Sequence, residues 1–294
     1  MTFNNINMQY SLLCAFLWST TGVLVKSITN IPIPFVLFYR FIVAGLFILV
    51  SFYIINSDKN FIKSLSINFK LKLTLSLLMV FYYFCATYSF LYTPVALATL
   101  LMSLSPCVAI IYKLVKQEKT SIYEYIGFIF AFTGVFLYIY PTLKFDNSNL
   151  TLFLWGCALA FLAAVFKAVN SIIIWNKKTE IETKDFQSIN ILTFLLASFF
   201  SVFLISQSTA HVTYSMHNII CLMLLGIFAT ALPSILNNIA SSKTNPVSNT
   251  VIGMLTPLLA GLLAWLILNE PLTLWSFFSL SVSIFGVLLI VLKK

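Results

Sequence analysis

Three basic residues, Lys26, Arg40 and Lys167, lie within long apolar stretches of this chain. A charge in an apolar environment is costly, so each of them is a candidate for binding an anionic group such as a carboxylate. The acidic residues all fall in polar links or at the ends of the apolar stretches, so we expect no acidic partner for these cations within the stretches. Backbone carbonyls or an anionic ligand remain as their partners.

Polar, aromatic and proline residues on the same stretches could line a polar cavity. Tyr83 and Thr87 are one helical turn apart and therefore share a face. Pro106 and Pro257 each lie in the middle of a stretch, where a proline frees a carbonyl of the preceding turn. An asparagine in such a stretch either makes a hydrogen bond between helices or contacts a bound solute. The complete candidate set is Trp18, Ser19, Lys26, Arg40, Tyr83, Thr87, Pro106, Trp155, Lys167, Asn170, Asn237, Asn238 and Pro257.

The composition is that of a membrane protein. Of the 294 residues, 60% are hydrophobic and 9% are charged, whereas a soluble domain has about 25% charged residues. The net charge of +9 does not indicate nucleic-acid binding, because the basic residues fall between apolar stretches rather than on one soluble face. The five cysteines lie in apolar stretches without metal-type spacing, and we expect them to be small buried residues. Because a membrane protein contacts lipid, the headgroups are a further expected partner for a long basic side chain near the end of its stretch.

Apolar stretches of about 20 residues are long enough to cross a bilayer as helices. Ten of them follow one another with short polar links, which predicts an all-α integral membrane protein with ten transmembrane helices in a single domain, residues 1–294. No removable signal peptide is expected, because no lysine or arginine precedes the first stretch. The predicted spans 1 to 10 are 8–28, 33–55, 70–91, 94–113, 121–140, 150–174, 187–206, 217–240, 245–268 and 273–292.

The sequence contains an internal repeat. Its landmarks recur 152 residues later: Pro94 as Pro246, Glu118 as Glu270, and Gly134 as Gly286. This period predicts two five-helix halves, one at about 8–140 and the other at about 150–292. Lys26 and Lys167 align at a different offset, 141, and we expect the loops to absorb the difference. The two glutamates are expected to cap the helix that follows each of them or to pair with a loop lysine.

The distribution of lysines predicts how the chain is oriented. If the N-terminus is cytoplasmic, thirteen lysines of the loops and the C-terminal tail lie on the cytoplasmic side and Lys144 alone lies on the other. Both chain ends are therefore predicted to be cytoplasmic. Five spans per half is an odd number, so the second half enters the membrane with reversed polarity. The result is a pair of inverted repeats, an architecture that permits alternating access.

A family resemblance rests on Thr93-Pro94-Val95-Ala96, continued through Pro106, Glu118 and Gly134, on the echo of this pattern from Pro246 to Gly286, and on Phe38-Tyr39-Arg40-Phe41. With these motifs nearly the whole chain resembles the EamA-type branch of the drug/metabolite transporter superfamily. The resemblance implies a ten-helix bundle with a central solute route between spans 1, 3, 4, 6, 8 and 9. The second half has Ile191 near the position that corresponds to Arg40, so no symmetric role is expected for this arginine.

The resemblance also implies a secondary transporter that moves a small metabolite across the inner (cytoplasmic) membrane by alternating access. Together with the unpaired cations, it favours export of an amino acid or a related zwitterion or carboxylate. The alternative is import or exchange of a vitamin, a nucleotide-like cofactor or S-adenosylmethionine. The expected partners are the small-molecule substrate and the lipid bilayer, without nucleic acid, cofactor or metal. The protein is expected to be a monomer or a homodimer.

A membrane-embedded enzyme is the competing class of function. It would need an activated nucleophile, a metal cluster or a pair of aspartates within the bilayer. The chain has no HExxH or GxSxG motif and no phosphate-binding glycine loop. Its two histidines, His211 and His217, lie in a predicted external loop. The sequence therefore predicts no enzymatic activity.

Overall fold

The computed structural model describes residues 5–55, 65–145, 149–177, 180–181, 185–206, 214–243 and 252–292, and no β-strand occurs in these ranges. The predicted all-α fold is confirmed. We label the helices by predicted span, with two spans divided: α1 (Asn5–Ser27), α2 (Ile33–Ile55), α3 (Phe69–Tyr92), α4a (Val95–Met102), α4b (Ser105–Val115), α5 (Ile122–Phe145), α6 (Leu150–Asn176), α7 (Asp185–Ile205), α8a (Met216–Gly226), a π segment (Ile227–Ala231), α8b (Leu232–Lys243), α9 (Leu255–Leu268) and α10 (Leu274–Leu292).

Eight spans of the described chain are long and apolar enough to cross a membrane. The other two are α1 and α9. Serine, threonine, asparagine and glutamine recur along α1 and make it more polar than its neighbours. The described part of α9 has 14 apolar residues. The first part of span 9, with Asn245 and Pro246 of the repeat, lies outside the described residues.

The fourth helix of each half is interrupted at equivalent positions. α4a ends at Met102, and α4b begins at Ser105 with Pro106 in its first turn. In the second half the turn residue Met254 precedes α9, and Pro257 lies in the first turn of that helix. A proline is tolerated there because the first N–H groups of a helix have no intrahelical acceptor. Both prolines therefore mark a break in the fourth helix.

The closest helix contact joins α5 to α10. A Cβ atom added at Gly127 would lie 2.5 Å from the carbonyl oxygen of Gly286, and one added at Gly134 would collide with the backbone of Ser279 and Ser283. Gly127 is the repeat equivalent of Ser279, and Gly134 is that of Gly286, so each glycine of α5 contacts the equivalent of the other. The two helices therefore run in opposite directions. The hydroxyl of Ser283 donates to the carbonyl of Ala131, its own equivalent 152 residues earlier, at 2.8 Å. A pseudo-twofold axis therefore passes through this crossing, as inverted repeats require.

The remaining helix packing follows the same symmetry. α1 packs against α8a, α8b and α9, as α6 packs against α3, α4a and α4b, and α2 packs against its equivalent α7. One prediction about the repeat is wrong. Lys26 is the penultimate residue of α1, whereas Lys167 precedes the end of α6 by nine residues, so the two lysines do not occupy equivalent positions.

The two ends of the bundle carry different ion pairs. We call the end with the turns at 28–32, 93–94 and 269–273 the Glu270 end, and the opposite end the Lys72 end. At the Lys72 end the ammonium of Lys72 at the start of α3 lies 2.6 Å from Asp185 Oδ1 at the start of α7, with both side chains buried. This pair joins the first half of the chain to the second.

Removal of one partner of the Lys72–Asp185 pair is expected to be costly. Lys72→Met would remove the cation that lies 2.6 Å from the buried Asp185 carboxylate and should lower the free energy of unfolding by about 3–5 kcal/mol. The double variant Lys72→Met/Asp185→Leu should recover most of this loss. Denaturant unfolding of the purified protein measures both effects, and equal stability of the single and double variants would contradict the argument.

Candidate functional site

One carboxylate ties three chain segments together at the Glu270 end. Glu270 lies in the turn between α9 and α10, and its Oε1 is 2.5 Å from the ammonium of Lys26 at the end of α1. Its Oε2 accepts a hydrogen bond of 2.8 Å from the backbone N–H of Val95, the first residue of α4a. That N–H is free because the chain enters the helix after Pro94, and a helix N-terminus favours a negative charge. We call this set the Glu270 clamp.

The Glu270 clamp corrects two predictions. Lys26 was expected to contact a backbone carbonyl, a lipid headgroup or an anionic ligand, because no acidic residue lies within the spans, but it pairs with Glu270 in a turn 244 residues away in the chain. Glu270 was expected to cap the following helix or pair with a loop lysine, whereas it contacts the N-terminus of α4a and a lysine in the last turn of α1. Glu118, its repeat equivalent, is exposed in the turn between α4b and α5.

Further contacts close the Glu270 end between the two halves. The side chain of Asn218 in the first turn of α8a donates to the Thr29 carbonyl at 2.8 Å and accepts from the Thr29 N–H at 3.3 Å. The phenol of Tyr214 lies 2.9 Å from that of Tyr39 in α2. This hydrogen bond raises the pKa of Tyr214 to about 12, so Tyr214 stays neutral near pH 7. The α1–α2 turn is therefore fastened to the start of α8a.

Arg40 lies in the interior of the bundle, where 2% of its surface is exposed. It extends from α2 toward α3 and the π segment, and its Nε donates to Thr230 Oγ1 at 2.6 Å while its Nη1 donates to Thr87 Oγ1 at 3.1 Å. The guanidinium carbon lies 5.2 Å from the ring centre of Tyr83 and 5.6 Å from that of Phe41. Arg40 therefore does not extend to the headgroups. We call Arg40, Phe41, Tyr83, Thr87, Thr230 and Ser234 the Arg40 cluster.

Hydroxyl groups of α3 and α8 hold the Arg40 cluster together. Thr87 Oγ1 donates to the Tyr83 carbonyl at 2.7 Å, and Ser234 Oγ donates to the Thr230 carbonyl at 2.8 Å. The Tyr83 phenol lies 3.4 Å from Ser234 Oγ and links the two helices. The sequence prediction that Tyr83 and Thr87 share a face agrees with their contacts to one guanidinium.

The charge of Arg40 is incompletely compensated within the described residues. Neither Thr87 nor Thr230 carries a charge, and no carboxylate in the described ranges pairs with the guanidinium. The N–H groups that do not bind these two hydroxyls, including both on Nη2, have no acceptor among the same residues. A buried guanidinium is stable only when its charge and its donors find partners. The arrangement therefore suits an anionic group that is not part of the described chain.

The second cation at membrane depth is Lys167 in α6. Its ammonium lies 5.2 Å from the ring centre of Trp18 in α1, at a distance typical of a cation–π contact. The described residues offer it no carboxylate within ion-pair distance. Cys14, one turn before Trp18, lies within electrostatic range of Lys167, and its thiol donates to the Pro233 carbonyl at 3.4 Å. Trp18 and Lys167, predicted as candidates on different helices, are in contact.

Other predicted candidates have separate environments. Ser19 is buried, and its hydroxyl donates to the Phe16 carbonyl of its own helix at 2.6 Å. Asn170 is buried and donates to the Leu75 carbonyl of α3 at 3.0 Å, so it makes the interhelical hydrogen bond that was one of its two interpretations. Asn237 is half-buried one turn after Ser234, and the side chain of Asn238 lies outside the described residues.

Trp155 was expected to line the solute route, and this prediction is wrong. The indole lies near the start of α6 and is 61% exposed on the outer surface of the bundle. Its helix turns Gly156 and Cys157 toward the interior instead, and Gly156 packs against Thr93, where an added Cβ would lie 2.7 Å from the threonine methyl group. A lipid-facing tryptophan near a helix end is a common interfacial anchor.

Thr230 and Ser234 were not among the predicted candidates. They flank Pro233, which cannot donate to the Ala229 carbonyl four residues earlier. The Thr21 hydroxyl of α1 donates to that carbonyl at 3.4 Å. A proline within an apolar span, with hydroxyl residues one turn apart beside it, was the available sign that α8 carries part of the site.

Comparison with known proteins agrees with this architecture. A family model described as the EamA-like transporter family matches residues 6–140 and again residues 154–292. No curated protein matches the sequence. One solved structure, titled "Crystal structure of protein", has a TM-score of 0.69, covers 99% of this chain and 98% of its own, and is 15% identical, which shows a shared fold alone. Because the family model matches both halves, the chain belongs to the EamA-like transporter family, whose members are multi-pass membrane transporters of small molecules.

Proposed function

We propose that this transporter moves a small metabolite with an anionic group, and that its substrate is an amino acid or a related zwitterion or carboxylate. The observation that supports this substrate class is the buried guanidinium of Arg40, whose described partners are two neutral hydroxyls. A carboxylate would supply both the missing charge and acceptors for the free N–H groups, in a geometry that guanidinium groups favour. Lys167, whose ammonium lies against Trp18, adds a second positive charge at membrane depth.

We further propose that transport proceeds by alternating access between the two halves. The Glu270 clamp and the Asn218 contacts join segments of both halves at one end, as expected for a carrier that is closed there. Because the loop lysines favour cytoplasmic chain ends, this closed end would face outward, with the protein in the cytoplasmic membrane. Export is the proposed direction. No catalytic role is proposed for any residue.

A ligand screen followed by a flux assay tests the proposed function. Purified protein is screened for thermal stabilisation by amino acids, other carboxylates, vitamins, nucleotide-like cofactors and S-adenosylmethionine. The strongest ligand is then used, radiolabelled, with proteoliposomes that contain or lack the unlabelled compound. We expect saturable uptake that internal unlabelled compound stimulates. If flux rose linearly with the external ligand concentration and did not change with the internal unlabelled compound, the protein would be a channel and the proposal would be wrong.

Cross-linking of the Glu270 clamp tests alternating access directly. In a variant with Lys26→Cys and Glu270→Cys, a short bis-methanethiosulfonate cross-linker, which joins the two thiols through disulfides, should stop flux because the end that must open is held shut. A thiol reductant cleaves these disulfides and should restore flux. The matched control is Lys177→Cys with Glu180→Cys, which replaces an exposed ion pair of 2.6 Å within the second half. The same reagent should leave its flux unchanged. Undiminished flux through the cross-linked clamp would refute a gate at this end.

A further inference from the structure

Thr230 holds Arg40 from within the π segment of α8. Its hydroxyl donates to the Leu225 carbonyl at 2.7 Å, five residues earlier, and accepts from Arg40 Nε at 2.6 Å. Thr87 does the same from the opposite side, because its hydrogen is bound to the Tyr83 carbonyl and its oxygen accepts from Arg40 Nη1. Both hydroxyls therefore present lone pairs to the guanidinium, and neither can rotate its hydrogen toward it without losing a hydrogen bond.

The π segment determines where the Thr230 hydroxyl lies. Its backbone is wider than an α-helix, and the N–H of Leu232 donates to the Ile227 carbonyl, five residues earlier. In a regular α-helix a threonine hydroxyl bonds a carbonyl three or four residues back. Removal of the extra residue from this turn would rotate Thr230 by about 100° relative to α8a. The hydroxyl would then leave the Arg40 guanidinium, so the Arg40–Thr230 contact depends on the π segment.

We propose that Thr230 is the positioning residue that determines which edge of Arg40 meets the anionic group of the substrate. The contact at Nε occupies the edge formed by Nε and Nη2, and Thr87 takes one of the two N–H groups of Nη1. A carboxylate would therefore be met by the remaining N–H groups of Nη1 and Nη2. This inference rests on the proposed function, because it assumes an anionic substrate. It assigns a specificity role to a residue of α8 that need not contact the substrate itself.

The single arginine of the chain allows a test that does not depend on knowing the substrate. Protein labelled with nitrogen-15 arginine gives one guanidinium Nε–H signal in detergent micelles. We expect Thr230→Val to shift this signal and to accelerate exchange of its proton at least tenfold, because the hydroxyl acceptor is lost. Thr230→Ser should behave like the native protein. Thr87→Val, which removes the acceptor at Nη1, is the matched control and should change Nε exchange much less.

Titration with acetate, and with acetamide as the neutral control, adds the binding readout. Acetate should shift the Arg40 signal of the native and Thr230→Ser proteins, and Thr230→Val should bind it about tenfold more weakly, as loss of an ordered charge-assisted contact predicts. If Thr230→Val changed neither the Nε signal nor the affinity for acetate, the inference would be wrong, whereas the proposed function would not be affected. No response to acetate in the native protein would instead overturn the proposed anionic substrate, and the inference with it.

Discussion

Replacement of Arg40 by methionine is expected to abolish high-affinity substrate binding while the protein becomes no less stable. Removal of a buried charge that pairs with a carboxylate ligand costs about 2–5 kcal/mol of binding, a loss of affinity of about 30-fold or more. The folded protein loses little, because the hydrogens of Thr87 and Thr230 remain bound to backbone carbonyls. Replacement of a poorly compensated buried charge by an apolar side chain is often neutral or stabilising.

Thermal unfolding and ligand binding of the same preparations separate these two effects. Arg40→Lys keeps the charge without the Nε contact and should bind with intermediate affinity. Lys116→Met, which removes an exposed cation from the face of Tyr112 at the Lys72 end, should change neither quantity. If Arg40→Met lowered the unfolding temperature and kept the native affinity, the guanidinium would be a structural group and the substrate anion would bind elsewhere.

The second large effect is expected where α5 crosses α10. Gly134→Ala should lower the free energy of unfolding by about 2–3 kcal/mol or more, because the new Cβ would collide with backbone atoms that cannot rotate away. The expected result is a large loss of monodisperse protein after detergent extraction and a lower unfolding temperature. Gly286→Ala meets the backbone of Ala131 and Phe130 and should have a similar effect.

The chain contains its own control for this glycine substitution. Among the described residues, no atom outside the chain neighbours of Gly253 and its own helix backbone lies within 4 Å of the position where a Cβ would be added. Gly253→Ala is therefore the same chemical change in open space, and the higher helix propensity of alanine should make it neutral or stabilising by up to about 1 kcal/mol. Equal losses of stability in Gly134→Ala and Gly253→Ala would show that the crossing tolerates a side chain.

The fold was predictable because its signals are local or periodic. Hydrophobic stretches of membrane-crossing length gave the helices, and a shared offset of 152 residues gave the two halves. The same offset relates Gly127 to Ser279 and Ala131 to Ser283. The small residues of the α5–α10 crossing could therefore be identified from the sequence together with Gly134 and Gly286. The family match at 6–140 and 154–292 agrees with the predicted halves.

The site was only partly predictable, because its contacts join residues far apart in the chain. Arg40, Tyr83 and Thr87 could be selected for their chemistry within apolar spans. Thr230 was indicated only by the nearby Pro233, because a threonine in an apolar helix usually bonds its own backbone, and the π turn that exposes its oxygen has no sequence rule. The Lys26–Glu270 pair was missed because both residues were assessed within their own helix ends.

The crossing of α5 and α10 also bears on how the protein unfolds. Backbone contact at the pseudo-twofold axis, with α2 on α7 and α4a on α9, means that each half completes its interior with helices from the other. The repeats are therefore units of the sequence, but we do not expect them to unfold independently of each other. Denaturation should pass through one transition, and neither half expressed alone should retain a native-like core.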